Sequence, residues 1–201
     1  MGHGARTDGI IFEEVNMDCL EEVREVLLNI LKSLSYEEGE FILKSGKKSS
    51  YYIDARETTL NPEGMYLTGD IMYNMVRKIP NIEAVGGVSI GADPLVCATV
   101  LASYNCKDNL FGFFIRKEPK GHGRNLWIEG AKNLKKGMHV IILEDVVTTG
   151  GSSIKAIEVT EQAGYKVKGV IALLDRLEGG KEAIESKGYM FKSIFTLNDL
   201  R

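Results

Sequence analysis

Apolar and polar positions in the first third of the chain predict one helix followed by a β-hairpin. Leu20, Leu27 and the apolar residues between them recur every three or four positions, which predicts a helix over residues 18–33. Two short β-prone runs follow, at 41–43 and 51–53. Because a basic turn of Lys, Ser and Gly residues separates the two runs, we expect antiparallel strands joined by a hairpin.

Beyond this hairpin, strands and helices alternate along the chain. Apolar runs predict buried strands at 85–88, 111–116, 140–143 and 167–174. Helical patterns and start signals predict helices at 62–78, at 94–104 and after Ser152. The run at 140–143 has no polar alternation, as is typical of a parallel strand buried on both faces. The order predicts βαβ units and therefore an α/β fold with a mainly parallel central sheet flanked by helices.

Length and composition are those of one globular domain. The 201 residues are 44% hydrophobic, so we expect a single domain over residues 1–201 with a proper core. Residues 1–9 have no apolar core, and we expect them to be disordered or foreign to the native chain. The net charge of −3 gives no global basic field for nucleic acid, so any polyanion must be met by a local cluster of Lys and Arg.

The chain has none of the patterns of a membrane or secreted protein. No run approaches the roughly 18 apolar residues that a membrane span needs, and residues 1–9 do not resemble a signal peptide. Cys19, Cys97 and Cys106 are odd in number and lack Cys-x-x-Cys spacing. We therefore expect reduced, mostly buried thiols in a cytoplasmic protein. Since the chain has neither a membrane span nor a basic field, we expect it to bind neither membrane nor nucleic acid.

The stretch 140–153 joins a buried strand to two acids and a turn of small residues, Thr-Thr-Gly-Gly-Ser-Ser. Glu144 and Asp145 should lie near the carboxyl end of the strand, where open α/β sheets bind ligands. The glycines let the backbone approach an anion, and Ser152 or Ser153 can cap the next helix, whose N-terminus favours a phosphate. The acids suit ribose hydroxyls or a hard cation such as Mg²⁺. Helix capping alone is the other interpretation of this turn.

A basic, glycine-rich segment at 116–130 has the composition of a lid. Its cationic residues are Arg116, Lys117, Lys120, His122 and Arg124. Glycines supply hinge freedom, and the segment has few apolar anchors. Long loops within compact domains are commonly functional, although a charged, solvated loop is the alternative.

Taken together, these segments resemble the type I phosphoribosyltransferases and, within them, the orotate phosphoribosyltransferase family. The similarity covers about 41–176. The stretch 141–153 looks like the family's motif for 5-phospho-α-D-ribose 1-diphosphate (PRPP), and Arg116-Lys-x-x-Lys-x-His-Gly resembles the catalytic loop of the orotate enzymes. Residues 43–52 are similar to the hood that helps cover the base. The resemblance implies the type I phosphoribosyltransferase fold with a small N-terminal hood, to which residues 10–60 would contribute.

The resemblance also implies an activity. It is transfer of the phosphoribosyl group of PRPP to orotate, which gives orotidine 5′-phosphate and diphosphate in pyrimidine (UMP) biosynthesis. Mg²⁺ is the implied cofactor, held mainly by PRPP with help from Glu144 and Asp145. The implied assembly is a homodimer that shares the loop 116–130 across its interface.

The site residues implied by the resemblance form three overlapping sets. The catalytic set is Lys120, His122, Glu144 and Asp145. The PRPP-binding set is Arg116, Lys117, Lys120, His122, Glu144, Asp145, Val146, Val147, Thr148, Thr149, Gly150, Gly151 and Ser152. The orotate-binding set is Lys44, Tyr52, Ile53, Thr148 and Arg176, in which the Arg176 guanidinium would bind the orotate carboxylate as a fork.

The chain departs from the family pattern after the strand at 85–88. Some members carry a lysine where this chain has Gly91, so contact with the diphosphate must come from backbone N–H groups or from other lysines. Two other functions stay open: a phosphoribosyltransferase for a purine or uracil, and a regulator that binds PRPP without catalysis. An intact Lys120 and His122 loop disfavours the regulator.

Overall fold

The computed structural model describes residues 17–42, 46, 48–118 and 127–201. The α-helices in this part of the chain are α1 (Met17–Ser35), α2 (Arg56–Thr59), α3 (Pro62–Arg77), α4 (Asp93–Asn105), α5 (Gly151–Gln162), α6 (Gly180–Glu185) and α7 (Leu197–Leu200). The strands are β1 (Tyr36–Ile42), β2 (Lys48–Ile53), β3 (Ala84–Val88), β4 (Phe111–Ile115), β5 (Ile128–Glu129), β6 (His139–Val147), β7 (Lys166–Asp175) and β8 (Met190–Thr196).

Within the described residues, the central sheet has six strands in the order β5-β4-β3-β6-β7-β8. Strands β4, β3, β6, β7 and β8 are all parallel to one another. The short β5, at the edge beside β4, runs antiparallel to it. The predicted α/β fold with a mainly parallel sheet is therefore confirmed. Because β3, β6 and β7 are parallel neighbours, their carboxyl ends meet at one edge of the sheet, where such folds bind ligands.

Strand β6 lies inside the sheet and is buried on both faces. The side chains at 140–143 are completely buried, which confirms the interpretation of this run as a two-sided core strand. Residues 141 and 143 pack in the core cluster formed with α1, α3 and α4, whereas 140 and 142 pack against α5. Continued alternation directs Glu144 to the α5 face and Asp145 to the opposite face.

Close packing around β3 depends on two adjacent glycines. A Cβ atom on Gly86 would overlap the ring of Phe113 in β4, and a Cβ atom on Gly87 would overlap the carbonyl oxygen of Leu143 in β6. The bare backbone of β3 therefore fits between its neighbours. As a result, the loop that follows β3 lies against the end of β6.

The N-terminal region forms the predicted helix and hairpin. Helix α1 ends at Ser35 and continues directly into β1, which pairs antiparallel with β2 in the register Tyr36↔Ile53. The predictions of one helix and two strands are confirmed, although β1 begins at Tyr36 rather than near residue 41. Lys44 lies outside the described residues. The role of this hairpin as a hood stays a prediction.

The sequence pattern misses the elements that follow β7. Strand β8 is an edge strand whose apolar run is interrupted by Lys192 and Ser193, and α6 and α7 are too short to show a helical period. Strand β6 is also longer than predicted, because residues beyond Glu144 keep pairing with β7 as far as Val147↔Asp175. A run of apolar residues therefore cannot show where a strand ends when its last part carries acidic side chains such as Glu144 and Asp145.

The expectation of mostly buried thiols is wrong for the two cysteines whose side chains the structure describes. Cys97 on α4 and Cys106 just after it are both exposed. Cys97 lies on the outer side of a helix whose opposite face packs into the core through Leu95 and Val96. In the part of the chain that the structure describes, no helix is long and apolar enough to cross a membrane.

Candidate functional site

A cavity of about 440 Å³ opens at the carboxyl edge of the sheet. Its walls come from the end of β2 and the start of α2, the loop after β3, Lys117 beyond β4, the end of β6 with the turn before α5, and the residue after β7. The lining residues are Tyr52, Ile53, Asp54, Ala55, Arg56, Val88, Ser89, Ile90, Gly91, Lys117, Glu144, Asp145, Val146, Thr148, Ser152 and Arg176. The cavity therefore lies where open parallel sheets bind ligands.

The turn between β6 and α5 has the geometry of an anion site. Val147 ends β6 and Gly151 begins α5, so the connection is very short. Gly150 at the N-cap has a φ of 80°, in the left-handed region that favours glycine. The N–H groups in the first turn of α5 have no partner within the helix, and together with the helix dipole they favour a phosphate. Thr148 and Ser152 line the cavity beside this turn.

Helix α5 has no side-chain cap, so the expectation of a cap from Ser152 or Ser153 is wrong. The N-cap residue is Gly150, whose carbonyl oxygen accepts a 2.9 Å hydrogen bond from the N–H of Ile154. Ser153 is buried instead and donates a 3.1 Å hydrogen bond to Oε2 of Glu144. The tight turn places Ser153 inside the first turn of α5, where its hydroxyl hydrogen-bonds to Glu144 of β6.

The two acids of β6 lie in surroundings that favour a bound proton. Glu144 is 6% exposed, and burial, followed by the charge of Asp145, raises its pKa to about 8. Burial also raises the pKa of Asp145, although the N–H of Val146, 2.9 Å from Oδ1, opposes that shift. A cation placed beside these carboxyl groups would offset the cost of ionising them. The pair is therefore suited to meet positive charge.

Asp145 lies directly against the loop that follows β3. A Cβ atom on Gly91 would overlap the Asp145 carboxylate, so a side chain at position 91 would force the acid to move. The preceding Ser89–Ile90 peptide bond is cis, and all three residues of this loop line the cavity. At Gly91 the loop offers a ligand backbone atoms alone.

Arg176 joins the ends of β7 and β6 at the cavity wall. Its backbone N–H donates a 2.9 Å hydrogen bond to the carbonyl of Val147. Its Nη2 donates to the hydroxyl of Tyr51 at 3.1 Å and pairs with Glu178 at 2.8 Å. The Nε of Arg176 is buried without a hydrogen-bond partner among the described residues. Because buried donors are normally satisfied, a ligand carboxylate is a suitable acceptor for this guanidinium.

The structure brings many of the predicted site residues together. Those that line the cavity are Tyr52, Ile53, Lys117, Glu144, Asp145, Val146, Thr148, Ser152 and Arg176. Val147, Thr149, Gly150 and Gly151 belong to the same strand and turn without lining it. Arg116 does not line it either, and its Nη1 pairs with Glu129 at 2.9 Å. Lys44, Lys120 and His122 lie outside the described residues. The ligand roles of all these residues stay predictions.

Several wall residues were missed by the sequence interpretation. Asp54 and Arg56 directly follow β2, and Ser89 and Ile90 precede Gly91 in the loop after β3. The Asp-x-Arg pair at 54–56 could have been predicted from the sequence to lie at the site. Charged residues placed immediately after an apolar strand are the same pattern that marked the two acids of β6.

Comparisons with known proteins agree with this architecture. The model of the phosphoribosyl transferase domain family matches residues 95–198. The chain is 44% identical over 179 residues to the orotate phosphoribosyltransferase of Nostoc sp., covering 89% of this chain and 85% of that protein. A crystal structure of Mycobacterium tuberculosis orotate phosphoribosyltransferase with Fe(III) dicitrate superposes with a TM-score of 0.79 at 34% identity, covering 89% and 98% of the two chains. A structure of that enzyme in complex with PRPP gives a TM-score of 0.75 at 31% identity, with the same coverage.

Proposed function

Because the chain belongs to the orotate phosphoribosyltransferase family, we propose that it transfers the phosphoribosyl group of PRPP to orotate. The products are orotidine 5′-phosphate and diphosphate, in the biosynthesis of UMP. The observation that carries the proposal is a single cavity that combines the buried Glu144, the half-buried Asp145, the turn at the start of α5 and the buried Nε of Arg176, which has no hydrogen-bond partner among the described residues. Cytoplasmic location goes with this function and stays a prediction.

Each part of the cavity suits one part of the two substrates. The turn from Thr148 to Ser152 would hold the 5′-phosphate through backbone N–H groups at the start of α5. Arg176 would bind the orotate carboxylate with its Nε–H, which has no partner among the described residues, and its Cζ lies over the Tyr51 ring, 5.1 Å from the ring centre. With both ends held, C1 of the ribose is oriented for attack by the orotate nitrogen, which removes much of the entropic part of the barrier.

The charges of the cavity match those that develop during the reaction. When the bond between C1 and the diphosphate breaks, the sugar becomes cationic and the leaving group gains negative charge. Glu144 and Asp145 would stabilise the sugar cation, because a neighbouring positive charge offsets the desolvation that raises the pKa of both carboxyl groups. Lys117 in the cavity wall, with Lys120 and His122 of the loop, would stabilise the diphosphate.

The residues present fit the predicted Mg²⁺. Glu144 and Asp145 supply carboxylate oxygens, the ligand type that Mg²⁺ prefers, at the wall of the cavity. Two side chains cannot complete an octahedral shell, so oxygens of PRPP would provide most of the ligands. The ion would neutralise part of the diphosphate charge.

The loop at 116–130 would exclude water from the sugar cation, which otherwise reacts by hydrolysis. We also propose that the loop reaches the partner's cavity in a homodimer. The described ends of the loop lie against each other, because Arg116 pairs with Glu129 at 2.9 Å and its N–H donates to the carbonyl of Trp127 at 2.8 Å.

One assay tests the activity and its alternatives. The protein is incubated with PRPP and Mg²⁺, and orotate, uracil, hypoxanthine, xanthine and adenine are offered in parallel while diphosphate release is followed. Release with orotate alone is the expected result. Release with a different base would replace orotate in the proposal, and binding of PRPP without release for any base would leave the regulator as the function.

A further inference from the structure

The segment from Asp54 to Thr58 is anchored to the body of the protein. Ala55 is fully buried, and the backbone N–H of Asp54 donates to the carbonyl of Ser35 at 3.0 Å. The N–H of Thr58 donates to the hydroxyl of Ser35 at 3.1 Å, and the two hydroxyl groups lie 2.7 Å apart. The Arg56 side chain therefore extends into the cavity wall from a backbone that is held on both sides.

Asp54 orients the guanidinium of Arg56. Its Oδ1 accepts from Nε of Arg56 at 2.8 Å and from the backbone N–H at 3.1 Å, while Oδ2 accepts from Nη2. This contact lowers the pKa of Asp54 and raises that of Arg56. Two of the five guanidinium N–H donors are used, and the side chain is still half exposed. The remaining donors are available to a ligand in the cavity.

Arg56 and the loop after β3 line the same cavity, and both lie near Asp145. Gly91 cannot take a side chain without displacing the Asp145 carboxylate. Arg56 interacts electrostatically with Asp145, yet the two side chains do not form an ion pair. The positive group and the acid thus line the same cavity with room between them.

The other cations in the described wall have different surroundings. Arg176 already contacts Glu178 and the hydroxyl of Tyr51, next to β7. Lys117 lies beyond β4 at the base of the loop 116–130. Among the described cations of the wall, Arg56 is held by Asp54 at the start of α2 and interacts electrostatically with Asp145, the acid that lies against Gly91.

We propose that Arg56 binds the diphosphate of PRPP and supplies the cation that Gly91 cannot carry. The assignment rests on the proposed function, because it requires PRPP as the ligand. A guanidinium held by Asp54 needs little reordering to form two parallel hydrogen bonds to a phosphate group. It stabilises the leaving group more strongly as negative charge develops there.

The test compares the binding of PRPP, which carries the diphosphate, with that of a ligand that does not. Calorimetric titration of the full chain with PRPP and Mg²⁺ is set beside titration with orotidine 5′-phosphate, which has the ribose phosphate and lacks the diphosphate. Arg56→Gln should weaken PRPP binding about ten- to a hundredfold, the effect of losing charged hydrogen bonds, and change the affinity for orotidine 5′-phosphate less than about twofold. Arg56→Lys, which keeps the charge, should lose less.

Arg77→Gln is the matched control, because Arg77 is half exposed and paired with Asp108 but does not line the cavity. It should bind both ligands as the wild type does. Unchanged PRPP binding by Arg56→Gln, or equal loss for both ligands, would overturn the assignment of Arg56. If the wild type bound neither ligand, the proposed function itself would fail.

Discussion

Ser153 donates a hydrogen bond to Glu144 from inside the first turn of α5, and both side chains are buried. The contact joins the strand that carries the acids to the helix whose N-terminus faces the predicted phosphate. Because Glu144 lies in this dry environment beside Asp145, its pKa is raised from 4.5 to about 8. The unliganded protein therefore keeps the Glu144 proton at pH values where an exposed glutamate is ionised.

The first prediction concerns the pH dependence of stability. Between pH 4.5 and about 8 the folded protein keeps the Glu144 proton that the unfolded chain has lost, so stability falls as pH rises through this window. Glu144→Gln cannot ionise, and it should raise the melting temperature of the unliganded protein by roughly 4 °C at pH 8.5, with little change near pH 4.5.

Thermal unfolding monitored by circular dichroism across this pH range makes the comparison. Glu161→Gln is a suitable control, because Glu161 is an exposed acid on α5. Parallel pH profiles for the wild type and Glu144→Gln would show that Glu144 is not the group responsible.

The second prediction concerns recognition of the base by Arg176. Arg176→Lys keeps a positive charge but loses the planar fork, and it should raise the KM for orotate about tenfold or more, with a smaller effect on the KM for PRPP. Arg201→Lys is the matched control, because the Arg201 guanidinium also lies over the Tyr51 ring, at 5.3 Å, without lining the cavity. Equal effects of the two substitutions on orotate would argue for a structural role of Arg176.

The third prediction concerns the proposed catalytic role of the loop at 116–130. Lys120→Ala should lower kcat by about a hundredfold, the scale of one lost electrostatic stabiliser, and leave the melting temperature unchanged. Lys187→Ala removes an exposed lysine that does not line the cavity and should be neutral. Initial rates of diphosphate release measure both variants. Turnover of Lys120→Ala at the wild-type level would exclude this lysine from the mechanism.

The fourth prediction concerns sharing of the loop between subunits. Lys120→Ala and Asp145→Asn chains, each inactive as a homodimer, are co-expressed with different tags and purified together. If the loop enters the partner's cavity, each mixed dimer isolated through its two tags has one intact site of two, so the mixed dimers should have about half of the wild-type activity. Activity that stays at the level of the separate variants would place the loop over its own subunit.

Local sequence was sufficient where the candidate site residues are contiguous. The strand at 140–143, the two acids and the glycine turn form one uninterrupted segment, so burial, charge and backbone freedom are all visible in the order of residues. The basic loop is recognisable for the same reason. The orientation of the Ser153 side chain could not be predicted, because a serine near the start of a helix can either cap the helix or point toward the preceding strand.

The remaining parts of the site are formed by residues far apart in the chain. Arg176 meets Tyr51 across 125 positions, and Gly91 lies against Asp145 through the loop after β3. Arg56 enters the same cavity from the start of α2. Hydrophobic periodicity shows which face of a strand is buried, and it does not give the order in which strands stand side by side.

By itself, the sequence determined the α/β alternation, the acid-and-glycine turn after β6 and the basic loop, because each depends on neighbouring residues. The strand order β3-β6-β7 was decided by tertiary packing. That order brings the end of β2, the loop after β3 and Arg176 around Glu144 and Asp145. Burial among these segments sets the raised pKa values of the acids, since desolvation depends on what the whole fold places around a carboxyl group.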